Sequence, residues 1–247
     1  MSKPAVGIFG LTGCAGDQLV IVNCEDLLLD LVSLIDVRDF LMASSANDAS
    51  CALDVALVEG AVLTERDAQT LRRIRNRSAT LVALGTCAVW GGVAAMNGTD
   101  RRAMLQEVYG ETGLTYDSTP AQALHELVKV DLKITGCPIE KEHFLSAIAD
   151  LLNGNLPVYP QYPVCTECRM FENNCLLSER GEICCGPVTA AGCQARCPAL
   201  RVPCIGCRGP VSDANPLSLM AAFEEKGIDR QAIAARLRTF SAQGVTQ

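Results

Sequence analysis

Nine of the chain's fourteen cysteines crowd into the 43 residues from Cys165 to Cys207, and this crowding limits what the chain can fold into. The same segment has little apolar periodicity, so burial of hydrophobic side chains would not hold it together. The chain begins MSKPAVGIFG, without the apolar core and cleavage site of a signal peptide, which favours a cytoplasmic protein with reduced thiols. Disulfides are therefore not expected, and bound metal is the first explanation for the cysteines.

Composition argues against two classes of partner. The formal net charge is −7, whereas contacts to nucleic-acid phosphates need clusters of Lys and Arg. No apolar run reaches the roughly 18–20 residues of a membrane span. We therefore expect a chain that binds neither nucleic acid nor a membrane.

A stretch rich in Gly, Asn and Pro at residues 153–157 divides the chain into two expected domains, residues 1–156 and 157–247. In the first domain, short apolar runs alternate with amphipathic segments. This alternation predicts an α/β fold with a doubly wound parallel sheet. The strands are expected at residues 5–9, 53–58, 80–84 and 132–135.

Helix starts are marked by capping residues followed by helix formers. Thr64 and Thr119 are expected to begin helices in the first domain, and the apolar residues of 144–152 mark one face of a third. In the second domain, Asn215 and Asp229 are expected to begin two short helices.

Three cysteines of the first domain, Cys14, Cys87 and Cys137, each follow a predicted strand in a glycine-containing loop. Because ligands collect at the carboxyl ends of parallel strands, we expect these thiols to converge there. Three thiolates and one further ligand suit an iron–sulfur cluster. A free cysteine can also act as a small hydrophobic residue, and we assign that role to Cys24 and Cys51.

The second domain carries C-x2-C pairs at 165–168 and 204–207 and a Cys-Pro step at 197–198. Eight ligands make two [4Fe–4S] sites, which leaves one cysteine over. The Cys-Pro step resembles that of bacterial ferredoxins, whose cysteines are interleaved between two clusters. Structural zinc is the alternative, since paired C-x2-C motifs also bind zinc, but zinc would not explain the three cysteines of the first domain.

Seven short motifs contain or accompany these cysteines. In the first domain they are LTGCAGD (11–17), VEG (58–60), GTCAVWGG (85–92) and GCPIEK (136–141). In the second they are PVCTEC (163–168), GPVTAAGCQARCP (186–198) and PCIGCRGP (203–210). Together they resemble the motifs of the small subunit of [NiFe] hydrogenases. Within that family the chain is most similar to the cytoplasmic, three-cluster type, in particular the delta subunit of NAD(P)-linked soluble hydrogenases (sulfhydrogenases). The F420-reducing and heterodisulfide-reductase-linked enzymes are the next most similar.

The resemblance implies a flavodoxin-like domain with a proximal cluster, followed by a small ferredoxin-like domain with two more [4Fe–4S] clusters. It implies an oxidoreductase subunit that conducts electrons and has no catalytic residue of its own. The nickel–iron centre would belong to a separate large subunit, and flavin to a further partner subunit. The implied cluster ligands are Cys14, Asp17, Cys87 and Cys137 for the proximal cluster, and Cys165, Cys168, Cys175, Cys184, Cys193, Cys197, Cys204 and Cys207 for the other two.

Asp17 departs from the commonest family pattern, which has a second cysteine at this position. Some F420-type relatives also carry aspartate here, so ligation of iron by Asp17 is the leading interpretation, although a carboxylate among thiolates is unusual. The alternative is that Asp17 caps the following helix. Glu59 lies at the same sheet edge and is expected either to orient the cluster's surroundings or relay protons, or simply to end its strand.

Cys184 occupies the family's cysteine position, and Cys185 is left as a packing residue. The division of the eight cysteines between two clusters stays open; interleaving suggests that Cys165, Cys168 and Cys175 take one later cysteine, for example Cys207. The final electron acceptor is also open. A complex I-like quinone-reducing subunit is a further alternative, but those sequences carry adjacent cysteines at the first proximal position and lack the C-terminal block.

Overall fold

A five-stranded parallel sheet dominates the computed structural model, which describes residues 3–24, 27, 30, 33–96 and 100–240. The strands are β1 (Ala5–Gly10), β2 (Asp36–Asp39), β3 (Leu53–Glu59), β4 (Ser78–Leu84) and β5 (Leu132–Ile134). Their order is β2-β1-β3-β4-β5, and every neighbouring pair is parallel. This is the flavodoxin-like order. The four predicted strands are confirmed, while β2 lacks the apolar run that would have predicted it.

Helices lie on both faces of this sheet. In chain order they are α1 (Gly16–Val22), α2 (Glu65–Asn76), α3 (Gly85–Trp90), α4 (Arg101–Tyr109) and α5 (Lys141–Leu152). Short 3-10 helices cover Gly92–Ala95, Gly110–Thr115 and Leu124–Glu126. We call residues 3–156 the sheet part.

The sheet's two faces bury separate apolar clusters, because successive side chains of a strand point to opposite sides. On one face, Leu57 packs with Ile21 of α1 and Phe144 of α5. On the other, Val58 packs with Leu71 of α2. Helices on both faces make the sheet doubly wound, as the sequence predicts.

One predicted helix start in the sheet part is confirmed and one is wrong. The Thr64 hydroxyl accepts a hydrogen bond from Asp67 N (3.0 Å), and the Asp67 carboxylate accepts one from Thr64 N (3.1 Å), which makes a capping box. The helix predicted from Thr119 is absent. Instead, Gln122 and Val62 exchange two backbone hydrogen bonds of 3.0 Å, which occupy the groups that a helix would need.

Residues 157–240, here the cysteine-rich part, contain five short helices. They are α6 (Val164–Met170), α7 (Leu176–Arg180), α8 (Arg196–Ala199), α9 (Pro216–Glu224) and α10 (Arg230–Arg238), with a 3-10 helix at Gly186–Val188. The predicted caps of α9 and α10 are confirmed, since Asn215 accepts from Ser218 N and Asp229 from Ala232 N, both at 2.9 Å.

An apolar core lies in the cysteine-rich part, contrary to the expectation that burial contributes little there. Phe223 of α9 and Ile233 of α10 are fully buried and pack with Val164 and Cys185. The final helices thus supply the core that the cysteine segment itself lacks. Among the residues described, no helix is both long enough and apolar enough to cross a membrane.

A carboxylate ties the edge strand β5 to helix α2. Asp131 accepts from Arg75 Nη1 at 2.6 Å and from Leu81 N at 2.9 Å, and Lys129 Nζ lies 2.8 Å from its other oxygen. Burial by itself would raise the pKa of Asp131, but these hydrogen bonds and charges outweigh it and lower the pKa to about 2.

Asp131→Asn is expected to lower the free energy of unfolding at pH 7 by about 1–2 kcal/mol, discounted for partial exposure of the pair. Since the folded-state pKa lies below the unfolded value of about 3.9, the stabilisation is complete above that pH and is lost as the pH falls towards 2. Urea denaturation from pH 7 to pH 3 measures it. Asp36→Asn is the control, because Asp36 pairs with Arg38 at an exposed position. Equal effects of the two substitutions would contradict the prediction.

Candidate metal centre

The three cysteines predicted to converge do lie together at the carboxyl edge of the sheet. Cys14 follows β1, Cys87 lies in the first turn of α3 after β4, and Cys137 follows β5. We call them the first thiol set. Burial and the charges of Cys87, Asp17 and Cys14 raise the pKa of Cys137 to about 12. The thiols of Cys87 and Cys14 and the carboxylate of Asp17 therefore lie close to the Cys137 thiol.

Glycine packing fixes the position of Cys87. Gly92 has a φ of +59°, and a Cβ atom there would lie 2.5 Å from Cys87 Sγ. The backbone N–H of Val93 donates to the same sulfur. Only a residue without a side chain allows this close approach, so the Gly91-Gly92 pair shapes one wall of the first thiol set.

Asp17 faces the first thiol set and does not act as a helix cap. The N-cap of α1 is Ala15, and no side chain caps that helix end. Asp17 Oδ1 accepts instead from Ile139 N at 2.8 Å, in the loop of Cys137. A Cβ atom at Gly85 would overlap Asp17 Oδ2. Burial raises the pKa of Asp17 to about 7, with a smaller increase from the charge of Glu59 that is opposed by the Ile139 hydrogen bond. The capping interpretation is therefore wrong.

Glu59, the last residue of β3, caps the N-terminus of helix α1, which follows β1. It is 3% exposed, and its Oε2 accepts from Gln18 N at 2.7 Å. The backbone N–H groups of Ala15 and Asp17 also donate to this carboxylate. An acidic group at the positive end of a helix is favourable. Glu59 thus holds the Cys14 loop in place and does more than end its strand.

A second thiol set surrounds a cavity of about 160 Å³ between the two parts of the chain. Its members are Cys193, Cys197, Cys204 and Cys207. Cys137 of the first set lines the same cavity, as does the guanidinium-bearing Arg208. Across the described ranges, no three Cys, His, Asp or Glu side chains come together closely enough to bind one metal ion. The thiols of the second set surround a cavity and do not converge on the position of a single ion.

A third thiol set comprises the remaining candidate ligands, Cys165, Cys168, Cys175 and Cys184. Burial and the charges of Cys184, Cys168 and Cys175 raise the pKa of Cys165 to about 12. The neighbour of the first three in this structure is thus Cys184, whereas Cys207, which the sequence suggested as their partner, lies beside Cys193 and Cys197. Cys184 lies beside them because its loop passes next to α6. Gly186 of that loop shows how close the thiols are, since a Cβ atom there would lie 3.1 Å from Cys165 Sγ and 3.6 Å from Cys184 Sγ.

Hydrogen bonds connect each thiol set to the next. The backbone N–H of Cys137, from the first set, donates to the sulfur of Cys207 in the second. Thr86 strengthens this contact, since its hydroxyl donates to Cys207 O at 2.5 Å and accepts from Gly136 N at 3.2 Å. Cys204 N, of the second set, donates to Cys184 Sγ of the third at 3.3 Å. The three sets therefore follow one another through direct contacts.

The leftover cysteines lie in apolar surroundings or at the surface of the sheet. Cys24 is fully buried in the core beneath α1 and α5. Cys51 is half-buried and its thiol donates to Asp48 O. Cys185 is buried in the core of the cysteine-rich part. These positions agree with packing roles.

The chemistry of the thiols suits iron–sulfur clusters. Burial raises the pKa of Cys87 to about 11 and of Cys137 and Cys165 to about 12, so these groups become thiolates only beside a positive charge. The iron of a bound cluster would supply that charge, and backbone N–H groups such as those of Val93 and Cys137 already donate to the sulfurs. The thiols and the backbone N–H groups around them are therefore suited to an iron–sulfur cluster.

Sequence reasoning missed Thr86, Arg208 and Glu167. Glu167 is 7% exposed and accepts from Gly192 N (2.7 Å) and Ala195 N (3.2 Å), so it holds the Cys193 loop against α6. Each of the three residues is next to a cysteine in the sequence. Their roles could not be predicted from that position, because they depend on contacts with residues distant in sequence.

Comparisons with known proteins place these motifs among hydrogenase subunits. The family model described as NADH ubiquinone oxidoreductase, 20 Kd subunit, matches residues 14–151. Sulfhydrogenase 2 subunit delta of Pyrococcus furiosus is 40% identical over 96% of this chain and 98% of its own length. A subunit of an F420-non-reducing hydrogenase from Methanocaldococcus jannaschii is 30% identical over 88% of this chain and 85% of its own length.

Solved structures agree with these sequence matches. A chain of an NAD+-reducing [NiFe]-hydrogenase superimposes with a TM-score of 0.56 and 26% identity, covering 64% of this chain and 96% of that chain. A [NiFeSe]-hydrogenase chain from Dm. baculatum has a TM-score of 0.60 over 86% of this chain and 96% of its own, but at 17% identity that match supports the fold alone.

Gly92→Ala is expected to displace Cys87. If each thiol set holds a four-iron cluster, as the sequence predicts, iron content after anaerobic reconstitution should then fall from about twelve to about eight per chain. Gly154→Ala is the matched control, because Gly154 also has a positive φ (+74°) but a Cβ there would meet nothing within 4 Å. Full iron in Gly92→Ala, or an equal loss in Gly154→Ala, would show that this wall does not position a ligand.

Proposed function

We propose that this chain, which belongs to the hydrogenase small- and delta-subunit family within the NADH ubiquinone oxidoreductase 20 Kd subunit group, carries electrons through three iron–sulfur clusters. Its electrons would pass between a nickel–iron site on a large partner subunit and a flavin-bearing, NAD(P)-linked partner. When bound, [4Fe–4S] clusters take up and release single electrons. The chain's own residues bind and orient them.

The observation that carries this proposal is the succession of three thiol sets joined by direct contacts. Cys14, Asp17, Cys87 and Cys137 would hold the proximal cluster. The second set would hold the medial cluster, and the third set the distal one. Single-electron carriers work in series only when neighbours are close, and here Cys137 donates a hydrogen bond to Cys207.

The two ends of this succession are open to partners. Cys14 of the first set and Cys175 of the third are exposed, whereas the second set lies between the two parts of the chain. The large subunit would cover the surface around Cys14, and the flavin-bearing partner the surface around Cys175. No residue here is assigned to hydrogen activation, which would belong to the large subunit.

The domain boundaries proposed from the sequence fit this function. Residues 1–156 would form the flavodoxin-like unit of the proximal cluster, and residues 157–247 a ferredoxin-like unit of the other two. A cytoplasmic location would keep the thiols reduced until the clusters assemble.

Anaerobic purification of the chain with its partners tests the proposal. We expect brown protein that absorbs near 400 nm, contains about twelve irons per copy of this chain, and co-purifies with a nickel-containing large subunit and a flavoprotein. Colourless protein with two zinc ions would instead identify a zinc-stabilised scaffold, and absence of the nickel subunit would also contradict the proposal.

Asp17→Cys is expected to shift the reduction potential and the electron paramagnetic resonance (EPR) signal of one cluster, since a thiolate would replace a carboxylate on iron. Asp17→Asn separates ligation from positioning, because its amide oxygen can still accept from Ile139 N but carries no charge. We expect this variant to lose iron at the proximal site. An unchanged proximal signal in both variants would rule out ligation by Asp17.

A further inference from the structure

Arg208 is a buried cation without an anionic partner. Arg208 is 3% exposed. No carboxylate in the described part of the chain forms an ion pair with it. Nε donates to Ala191 O at 2.9 Å, and Nη2 lies 3.1 Å from His143 Nδ1. The third nitrogen, Nη1, is buried and has no hydrogen-bond partner.

The neighbours of Arg208 hold it firmly but leave its charge uncompensated. Since a guanidinium only donates, His143 Nδ1 must accept and the ring must be neutral. Burial and the charge of Arg208 both lower the pKa of His143, which agrees with a neutral ring. Gly192 packs on the pair so closely that a Cβ there would lie 2.8 Å from Arg208 Nη2. Of the residues described, three carboxylates lie near enough to act on His143, namely Glu140, Glu167 and Glu142. Glu167 is engaged by two backbone N–H groups, and Glu140 pairs with Arg196.

An uncompensated buried charge is costly, so such a group is normally paired. The surroundings of Arg208 indicate where its partner belongs. The side chain lines the cavity of the second thiol set. Its charge also acts on two of those thiols, since it lowers the pKa values of Cys193 and Cys207 against the increase caused by burial.

We propose that Arg208 is the counter-charge for an anionic group held by the second thiol set, and that it raises the reduction potential there. This inference rests on the proposed function, in which that group is a four-iron cluster bound by four thiolates. Such a cluster carries net negative charge. One-electron reduction adds one more negative charge at this position, opposite the fixed positive charge of the guanidinium. Its attraction is therefore stronger in the reduced state.

This role predicts that the second thiol set favours the reduced state of its cluster. The third thiol set has Arg169 near it, which is exposed and screened by solvent, whereas Arg208 is shielded from water. An electron supplied by a carrier at a neighbouring site would therefore be held more strongly at the medial position than it would be without Arg208.

The test is an EPR-monitored potentiometric titration of the anaerobically purified complex, with dithionite as the reductant. Arg208→Met should lower the midpoint potential of one cluster and leave the other two unchanged. Arg208→Lys, which keeps the charge, should retain most of the wild-type potential. Arg196→Met is the control, because Arg196 lines the same cavity but is exposed and paired with Glu140 at 2.7 Å.

Arg208→Gln provides the same test if the methionine variant does not assemble, since it keeps a donor for Ala191 O but carries no charge. A wild-type midpoint potential in either neutral variant, with all clusters present, would overturn the inference and leave the proposed function standing. A wild-type complex without iron signals would contradict both.

Discussion

Parallel strands bring all of their carboxyl ends to one edge of a sheet, and the cysteine sites depend on this constraint. Cys14, Cys87 and Cys137 are far apart in sequence but leave β1, β4 and β5 at the same edge. The first thiol set is therefore a consequence of topology. Local contacts only refine it: Glu59 fixes the helix after Cys14, and Gly92 makes room for Cys87.

The same edge also joins the sheet part to the cysteine-rich part. Thr86 bonds to Cys207, Glu140 pairs with Arg196, and Trp90 packs directly on Gly209. Because these contacts involve residues beside the thiols, the positions of the first and second sets are fixed relative to each other. Short and constant separation is what a chain of electron carriers requires.

Sequence analysis correctly predicted those strands and helix starts that depend on neighbouring residues in the chain. The four central strands and the Thr64, Asn215 and Asp229 caps follow from apolar runs and capping residues. The Thr119 prediction failed because that segment pairs with Val62, which is distant in sequence. Strand β2, with the sequence DVRD, carries no apolar run and is held by its pairing with β1.

The candidate ligands could be chosen from the sequence because clustered cysteines with this spacing are typical of metal and redox sites. Their grouping could not, since it depends on how the Cys184 loop passes α6. Arg208 was also beyond sequence reasoning. An arginine after a cysteine is ordinary, and only its burial without a carboxylate distinguishes it.

The proposed succession of three separate clusters along this chain can be seen by anomalous diffraction. The data would come from crystals of the anaerobic complex and be recorded on either side of the iron absorption edge. We expect three compact iron peaks, one beside each thiol set, with the middle peak next to Arg208. Zinc peaks at these positions, or an empty second thiol set beside two iron peaks, would rule out the proposed succession.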